Sequence, residues 1–386
     1  MVNMPPRPRL VRTPALWTLY AILGLYAFLQ NAIGPAIPLL RDEFHFDYTL
    51  AALHISAFAV GMVLSGLTAA AVIHRIGIKT ALWGGQVGTL AGLTVLVLAP
   101  SPWVSLLGIF FAALTGTVSL TAIQESVATL AGPHRGKALL EANMAASLTS
   151  AAAPFILVLG TVLGVGWRIL WPAFVVALVA TFALGVRPIS RAIPGRPPEE
   201  QRAEGRLPRS FFRAWLLIFV GVGVEWCLGF WAASYLKGLP GASASLAVSG
   251  AGVFQLAAVA GRLVSSRLTG RFGEKRILAG AIVLTAIGFP MYWSLTNPPV
   301  DFAGLALCGF AVANFYPMGV SLAIGVAGAQ ASKASSLTAV GSGSAILVAP
   351  LALGAVADQW GLAVALGAVP LGLIAMLVLL LLRRKG

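Results

Sequence analysis

The sequence predicts an all-α polytopic membrane protein whose twelve transmembrane helices form two pseudo-symmetric six-helix bundles. Of its 386 residues, 58% are hydrophobic and only 10% are charged, and the mean hydropathy is +0.90. A soluble domain carries about 25% charged residues, so most of this chain has no face suited to water. Sequence markers also recur at one offset of 196 residues, which indicates a duplicated bundle.

Twelve apolar runs of spanning length are separated by short polar or turn-forming segments. The spans are expected at Pro14–Ile37, Thr49–Ile73, Thr80–Ala99, Trp103–Thr129, Ala138–Leu163, Trp167–Val186, Ala214–Leu236, Ser245–Ser266, Ile277–Leu295, Asp301–Ala327, Ser336–Ala357 and Leu362–Leu382. A longer hydrophilic stretch rich in Pro, Gly and mixed charges separates spans six and seven, and we interpret it as a surface linker. The predicted organisation is a terminal segment 1–13, a first bundle 14–189, a linker 190–213, a second bundle 214–382 and a tail 383–386.

The basic residues are distributed very unevenly between the two sides of the predicted bundle. The segments on the side of the N-terminus hold 22 of the 26 lysines and arginines, whereas Arg41, Arg168 and Lys237 lie in the opposite loops. The positive-inside rule therefore predicts that both termini are cytoplasmic, in the inner membrane of a bacterium. It also explains the net charge of +14 without nucleic-acid binding.

Enzymatic chemistry has little support in the residues. The four histidines are scattered, and the sequence shows neither metal-ligand spacing nor a phosphate-binding glycine loop. We therefore expect no catalytic residue, metal or cofactor, and a monomer that contacts the lipid bilayer, a small-molecule substrate and protons.

A paired loop motif suggests a family. Arg75-Ile-Gly77-Ile-Lys79 follows span two and Arg271-Phe-Gly273-Glu-Lys275 follows span eight, while prolines recur in spans five and eleven at the same offset. With twelve spans arranged as six plus six, this pattern resembles the major facilitator superfamily, although Ala70 and His74 replace the Gly and Asp of that family's loop signature.

The C-terminal half is most similar to the fucose–proton symporter type. The similarity is carried by Gly223-Val-Glu225-Trp226 in span seven, Gly261-Arg262 in span eight and Asn314-Phe-Tyr-Pro317 in span ten. The resemblance implies alternating access and a cavity lined chiefly by spans one, four, seven and ten.

Glu225 is the candidate for proton coupling, because it lies roughly half-way along the apolar run Ala214–Lys237. Burial favours the neutral form of a carboxylate, so its charge can follow conformation. Amide and aromatic side chains on the cavity spans would suit a neutral, hydroxyl-bearing solute. The candidate substrate-binding residues are Gln30, Asn31, Gln124, Trp226, Trp231, Asn314 and Tyr316.

The remaining charged candidates are expected to act in gating or structure. Glu125, near the end of span four, is predicted to form a charge cluster with Arg75 and Lys79, and the paired loop contributes Arg271 and Lys275. Arg262 has two interpretations: its side chain snorkels to the headgroups, or it pairs with Glu225 as part of a gate.

These observations predict a secondary transporter that moves a small organic solute, sugar-like in one interpretation, by proton-coupled symport. A proton-driven efflux antiporter for drugs or metabolites is the alternative.

Overall fold

The computed structural model describes residues 10–193, 207–239, 241–294, 297–327 and 330–382. Its α-helices are α1 (Pro14–Phe44), α2 (Tyr48–Ile76), α3 (Ile78–Val97), α4 (Pro102–Ala131), α5 (Arg135–Val162), α6 (Leu170–Ala192), α7 (Arg209–Leu236), α8 (Ala244–Phe272), α9 (Glu274–Trp293), α10 (Pro298–Val312), α11 (Phe315–Ala327), α12 (Ala331–Trp360), α13 (Leu362–Leu366) and α14 (Ala368–Leu381). Short 3₁₀ turns at Gly132–His134 and Gly166–Ile169 precede α5 and α6.

Twelve helical segments in the described ranges are long and apolar enough to cross a membrane, which confirms the predicted number of spans. Helices α10 and α11 together make span ten, and α13 and α14 make span twelve. Several helices extend beyond the apolar runs; α6 reaches Ala192 and α7 begins at Arg209, both inside the predicted linker. Residues 1–9 of the predicted terminal segment, 194–206 of the linker and the tail 383–386 lie outside the described residues.

The duplication predicted from the sequence is visible in the helix bounds. Helices α2 and α8 have equal length at the offset of 196 residues, and so do α3 and α9. Helices α2 and α3 meet at Gly77, and helices α8 and α9 meet at Gly273. The two glycines have nearly the same conformation, with φ 84° and ψ 153° at Gly77 and φ 76° and ψ 160° at Gly273. A positive φ of this kind favours glycine, so these two positions end one helix and start the next without a longer loop.

Span ten is interrupted where α10 gives way to α11. Pro317 has no N–H to donate to the carbonyl of Ala313, which interrupts the helical hydrogen bonds. Next to the interruption, the Asn314 amide nitrogen donates to the carbonyls of Phe310 and Ala311, at 3.2 Å each. The side chain of Asn314 is 3% exposed. The interruption is thus stabilised internally, as irregular backbone inside a membrane must be.

The two halves, α1–α6 and α7–α14, are joined at the end of the bundle where α1, α7 and α12 end and α2 and α8 begin. We call this the closed end. Ser56 donates to the carbonyl of Leu347 at 2.9 Å, and the hydroxyls of Thr161 and Ser245 are 2.7 Å apart. The opposite end, which carries the two Arg-x-Gly-x-Lys loops, is called the basic end.

Carboxylates add two polar links at the closed end. Lys237 at the end of α7 forms an ion pair with Asp42 of α1. Asp358 of α12 accepts hydrogen bonds from the backbone N–H groups of Tyr48 and Thr49 at 2.7 and 2.8 Å, and from the Thr49 hydroxyl. Asp358 therefore caps a helix of the other half, where a negative charge is favoured by the helix dipole.

Candidate functional site

Glu225 lies in the middle of α7, 16 residues after Arg209 and 11 before Leu236. At ~1.5 Å per residue, these separations correspond to about 24 and 17 Å along the helix axis. Its Oε1 is 3.5 Å from Nη2 of Arg262, and the side chains of Glu225 and Arg262 are 18% and 41% exposed. A charged pair at this depth needs mutual neutralisation or water, and the geometry supplies the first of these.

Arg262 also reaches across to the other half. Its Nη1 donates to the hydroxyl of Ser147 on α5 at 2.8 Å. Helix α8 continues to Phe272, so Arg262 lies ten residues, or about 15 Å, from the helix end and deeper than the predicted span placed it. Of the two interpretations of Arg262, the structure shows the contact with Glu225. The sequence offered no signal for Ser147, which is a small polar residue in an alanine-rich helix.

A second polar contact crosses between the two halves, along the boundary that we call the seam. The Gln255 amide nitrogen of α8 donates to Oδ1 of Asn31 on α1 at 2.8 Å, and the Asn31 amide nitrogen donates to the carbonyl of Ala27. The amide of Gln30 faces the sulfur of Met62 at 3.6 Å. Gln255 was not among the predicted residues, although a glutamine within an apolar span could have identified it.

The predicted aromatic residues separate into two groups. Trp226 is half-buried beside Glu225, and Tyr316 is 38% exposed on α11. Trp231, in contrast, is fully buried and packs edge-on against Tyr48 of the other half, with ring centroids 5.7 Å apart. In this conformation Trp231 is part of the closed end, so the expectation that it lines a substrate cavity does not fit this state.

Three polar side chains within the spans are exposed between the seam and the basic end: Gln124 on α4, Asn143 on α5 and Arg262 on α8. Amide and guanidinium groups facing hydrocarbon would be costly, so exposure at this depth indicates a polar gap between the halves. Asn143 and Ser147 are one turn apart and share a face of α5. A polar gap of this kind would lead from the basic end toward Glu225.

The predicted gating residues other than Arg262 lie at or near the basic end, where the predicted charge cluster of Glu125 with Arg75 and Lys79 stays a prediction. The Lys79 ammonium donates to the carbonyl of Ser190 at 2.7 Å, and the Arg271 guanidinium lies over the ring of Phe272. Arg75 and Lys275 are exposed, and Glu125 is half-buried on α4.

A further ion pair at the basic end was not predicted. Arg12 and Glu141 are paired at 2.8 Å, and this hydrogen bond raises the pKa of the Arg12 guanidinium. Within the described ranges, no three His, Cys, Asp or Glu side chains come together in a way that could hold a metal ion.

The fold and site define a polytopic helical membrane protein with a duplicated bundle and a charged pair at the seam between its halves. The family model of the Major Facilitator Superfamily matches residues 19–252 and, in a second overlapping match, residues 214–386. The chain belongs to the Major Facilitator Superfamily.

Two relatives of this type match part or most of the chain. An uncharacterised transporter from Yersinia pestis is 32% identical over 167 residues, which are 42% of this chain and 43% of that protein. The uncharacterised transporter YceJ from Bacillus subtilis strain 168 is 24% identical over 316 residues, 78% of this chain and 79% of the relative.

Solved structures confirm the fold across nearly the whole chain. A peptide transporter POT mutant is 13% identical, with a TM-score of 0.73 over 95% of this chain and 93% of that one. The transporter FucP in the outward conformation is 19% identical, with a TM-score of 0.63 over 95% and 97% of the two chains. At these identities the similarity establishes the fold.

Proposed function

We propose that this chain is a secondary transporter that moves a small organic solute by alternating access and couples it to protons by symport. The observation that carries the proposal is the Glu225–Arg262 pair, because Arg262 contacts Glu225 in one half and Ser147 in the other. A titratable group linked to a contact between the halves can make their relative arrangement depend on its protonation.

The arrangement of the two halves is consistent with one of the states of an alternating-access cycle. The halves are joined at the closed end, and polar side chains are exposed between the seam and the basic end. The excess of basic residues supports placing the basic end and both termini in the cytoplasm. We propose the inner membrane of a bacterium as the location and a monomer as the working unit. With that orientation, the observed arrangement would correspond to a state open toward the cytoplasm.

The chemistry of the coupling step follows from the pair. With Glu225 ionised, the guanidinium of Arg262 is shared between Glu225 and Ser147. When Glu225 takes up a proton, the charge attraction is lost and Arg262 is released toward the gap or toward Ser147. The neutral, sugar-like solute expected from the sequence finds support in the amides of Asn31 and Gln255, whereas the exposed guanidinium favours an anion.

The test is proton flux in proteoliposomes that contain a pH-sensitive dye and are challenged with a panel of sugars, organic anions and drugs. A solute that drives proton movement identifies the substrate. We expect Glu225→Gln to abolish proton-driven accumulation while solute exchange persists. Glu141→Gln, in the exposed pair with Arg12, is the matched control and should retain accumulation. Unchanged uphill uptake by Glu225→Gln would contradict the coupling.

The direction of coupling separates symport from the alternative of drug or metabolite efflux. In energised right-side-out and inverted vesicles, a symporter moves solute and protons the same way, and an antiporter moves them in opposite ways. Opposite movement would replace symport by antiport and leave alternating access in place.

A further inference from the structure

Arg262 offers more binding capacity than its contacts with protein use. A guanidinium has five N–H donors in a planar fork that matches a carboxylate with two parallel hydrogen bonds. The contact with Glu225 is long, at 3.5 Å, and joins one nitrogen to one oxygen. The side chain of Arg262 is 41% exposed, more than twice the exposed fraction of Glu225.

The surroundings of Arg262 would suit the rest of a small organic molecule. Asn143 lies one turn from Ser147 on α5 and is exposed, so it adds an amide on the far side of the gap. Trp226 follows Glu225 on α7, and Tyr316 of α11 is 38% exposed. A carbon skeleton bound to Arg262 in place of Glu225 would therefore lie between the face of α5 that carries Ser147 and Asn143 and the part of α7 that carries Trp226.

Other titratable groups near Glu225 do not offer it a second cation. Arg262 of α8 is the cation that contacts Glu225, and Cys227 follows two positions later on α7. Cys308 of α10 is turned to the carbonyl of Thr285. On α1, the Tyr26 phenol is hydrogen-bonded to Thr117. The charged residues of α12, Lys333 and Asp358, are near its two ends in the sequence, and α14 has none.

We propose, on the basis of the proton-coupled transport proposed above, that the solute is a small organic monocarboxylate that binds Arg262 in place of Glu225. The displaced Glu225 carboxylate takes one proton from water and becomes a carboxylic acid. The site thus changes from Glu⁻ with Arg⁺ to neutral Glu with Arg⁺ and one bound anion, so its net charge stays at zero. One anion and one proton enter together, and the loaded halves can reorient without burying a net charge.

The experiment uses charged and neutral forms of the same skeletons. Gluconate, glucuronate and lactate are compared with glucose and lactamide in proteoliposomes of the full chain, with dye-reported proton flux and radiolabelled uptake. We expect proton flux with a carboxylate and none with its neutral partner. Arg262→Lys keeps the charge but loses the fork, so it should raise the KM for the carboxylate by about tenfold to a hundredfold.

Two further variants keep the result interpretable. Arg262→Gln leaves Glu225 without its cation and can fail to fold, so Arg262→Gln with Glu225→Gln provides a neutral site that should fold and lose carboxylate uptake. Arg267→Gln, on the same helix nearer the basic end, is the control and should transport normally.

The outcomes separate this inference from the proposed function. Proton flux driven by a neutral solute and abolished by Glu225→Gln would overturn the anionic substrate and leave proton coupling intact. Carboxylate uptake without protons would retain the substrate class and overturn the coupling. No response to any carboxylate would also overturn the substrate class.

Discussion

Asp358 is expected to hold the two halves together at the closed end, and its replacement by Ala should open that end. The carboxylate accepts two backbone hydrogen bonds and one hydroxyl hydrogen bond from the first turn of α2. Loss of a helix N-cap costs about 0.5–2 kcal/mol, and three bonds to a charged acceptor place Asp358 near the upper value even though it is exposed. About 2 kcal/mol corresponds to a roughly 30-fold change in the ratio of the two states.

The assay measures distances between spin labels on the two halves. Leu98 at the end of α3 and Val364 in α13 are 74% and 59% exposed at the closed end, and both can be replaced by labelled cysteines. The buried Cys227 and Cys308 would be replaced by alanine. If nine-tenths of the molecules are closed in the parent, about one quarter should remain closed in Asp358→Ala, given the ~30-fold shift.

Asp47 provides a matched control, because it caps the same helix from within its own half. Its carboxylate accepts from the N–H of Leu50 at 2.7 Å. Asp47→Ala should cost α2 about 1 kcal/mol of stability without changing the distance between the labels. An unchanged distance distribution in Asp358→Ala, or the same shift in both variants, would refute the reasoning.

Three other changes test the packing, the seam and the helix interruption. Gly261→Ala should lower the Tm strongly in detergent, since its new Cβ would clash with the carbonyl oxygen of Phe310. Gly280→Ala, which meets open space, should not lower it. Ser147→Ala removes a hydrogen bond between the halves worth about 1 kcal/mol. It should therefore reduce the ratio of closed to open molecules about fivefold in the same label experiment. Asn314→Leu leaves the carbonyls of Phe310 and Ala311 without the side-chain amide, so we expect a lower Tm and slower transport, while a parent-like Tm would argue against a structural role.

The fold could be predicted from the sequence because its main determinants are local. Spanning runs reflect the thickness of the bilayer, and the duplicated helices reflect repeated markers such as Gly77 and Gly273. The predicted ends of the helices were less accurate, because a helix can continue beyond the hydrocarbon layer as long as its backbone N–H and C=O groups remain hydrogen-bonded. For α8, the extension to Phe272 changed the depth of Arg262 and therefore the interpretation of that residue.

The site was only partly predictable, because its partners come from different helices and both halves. Glu225 was recognisable as an isolated acid in an apolar run, whereas Ser147 and Gln255 acquire their importance from the helix opposite. Trp231 was predicted to bind substrate because aromatic side chains are common in such sites. In the structure it packs against Tyr48 and so belongs to a contact between the halves. Which side chains meet across the seam depends on the relative placement of two rigid bundles, and no short sequence pattern encodes that.

The duplication also shows where the bundle has departed from symmetry. At the offset of 196 residues, Arg262 corresponds to Gly66 and Ser147 corresponds to Gly343. The contact between α2 and α12 therefore has small residues at these positions, and a Cβ added at Gly343 would lie 3.6 Å from Val63. At the corresponding positions, the contact between α5 and α8 has a charge-assisted hydrogen bond. Small residues allow the backbones to slide, whereas a charged contact responds to protonation.

Because Arg262 is shared between Glu225 and Ser147, neutralising Glu225 would direct the guanidinium to Ser147 and strengthen the link between the halves. Protonation would then favour the arrangement in which this link forms, which is the one joined at the closed end.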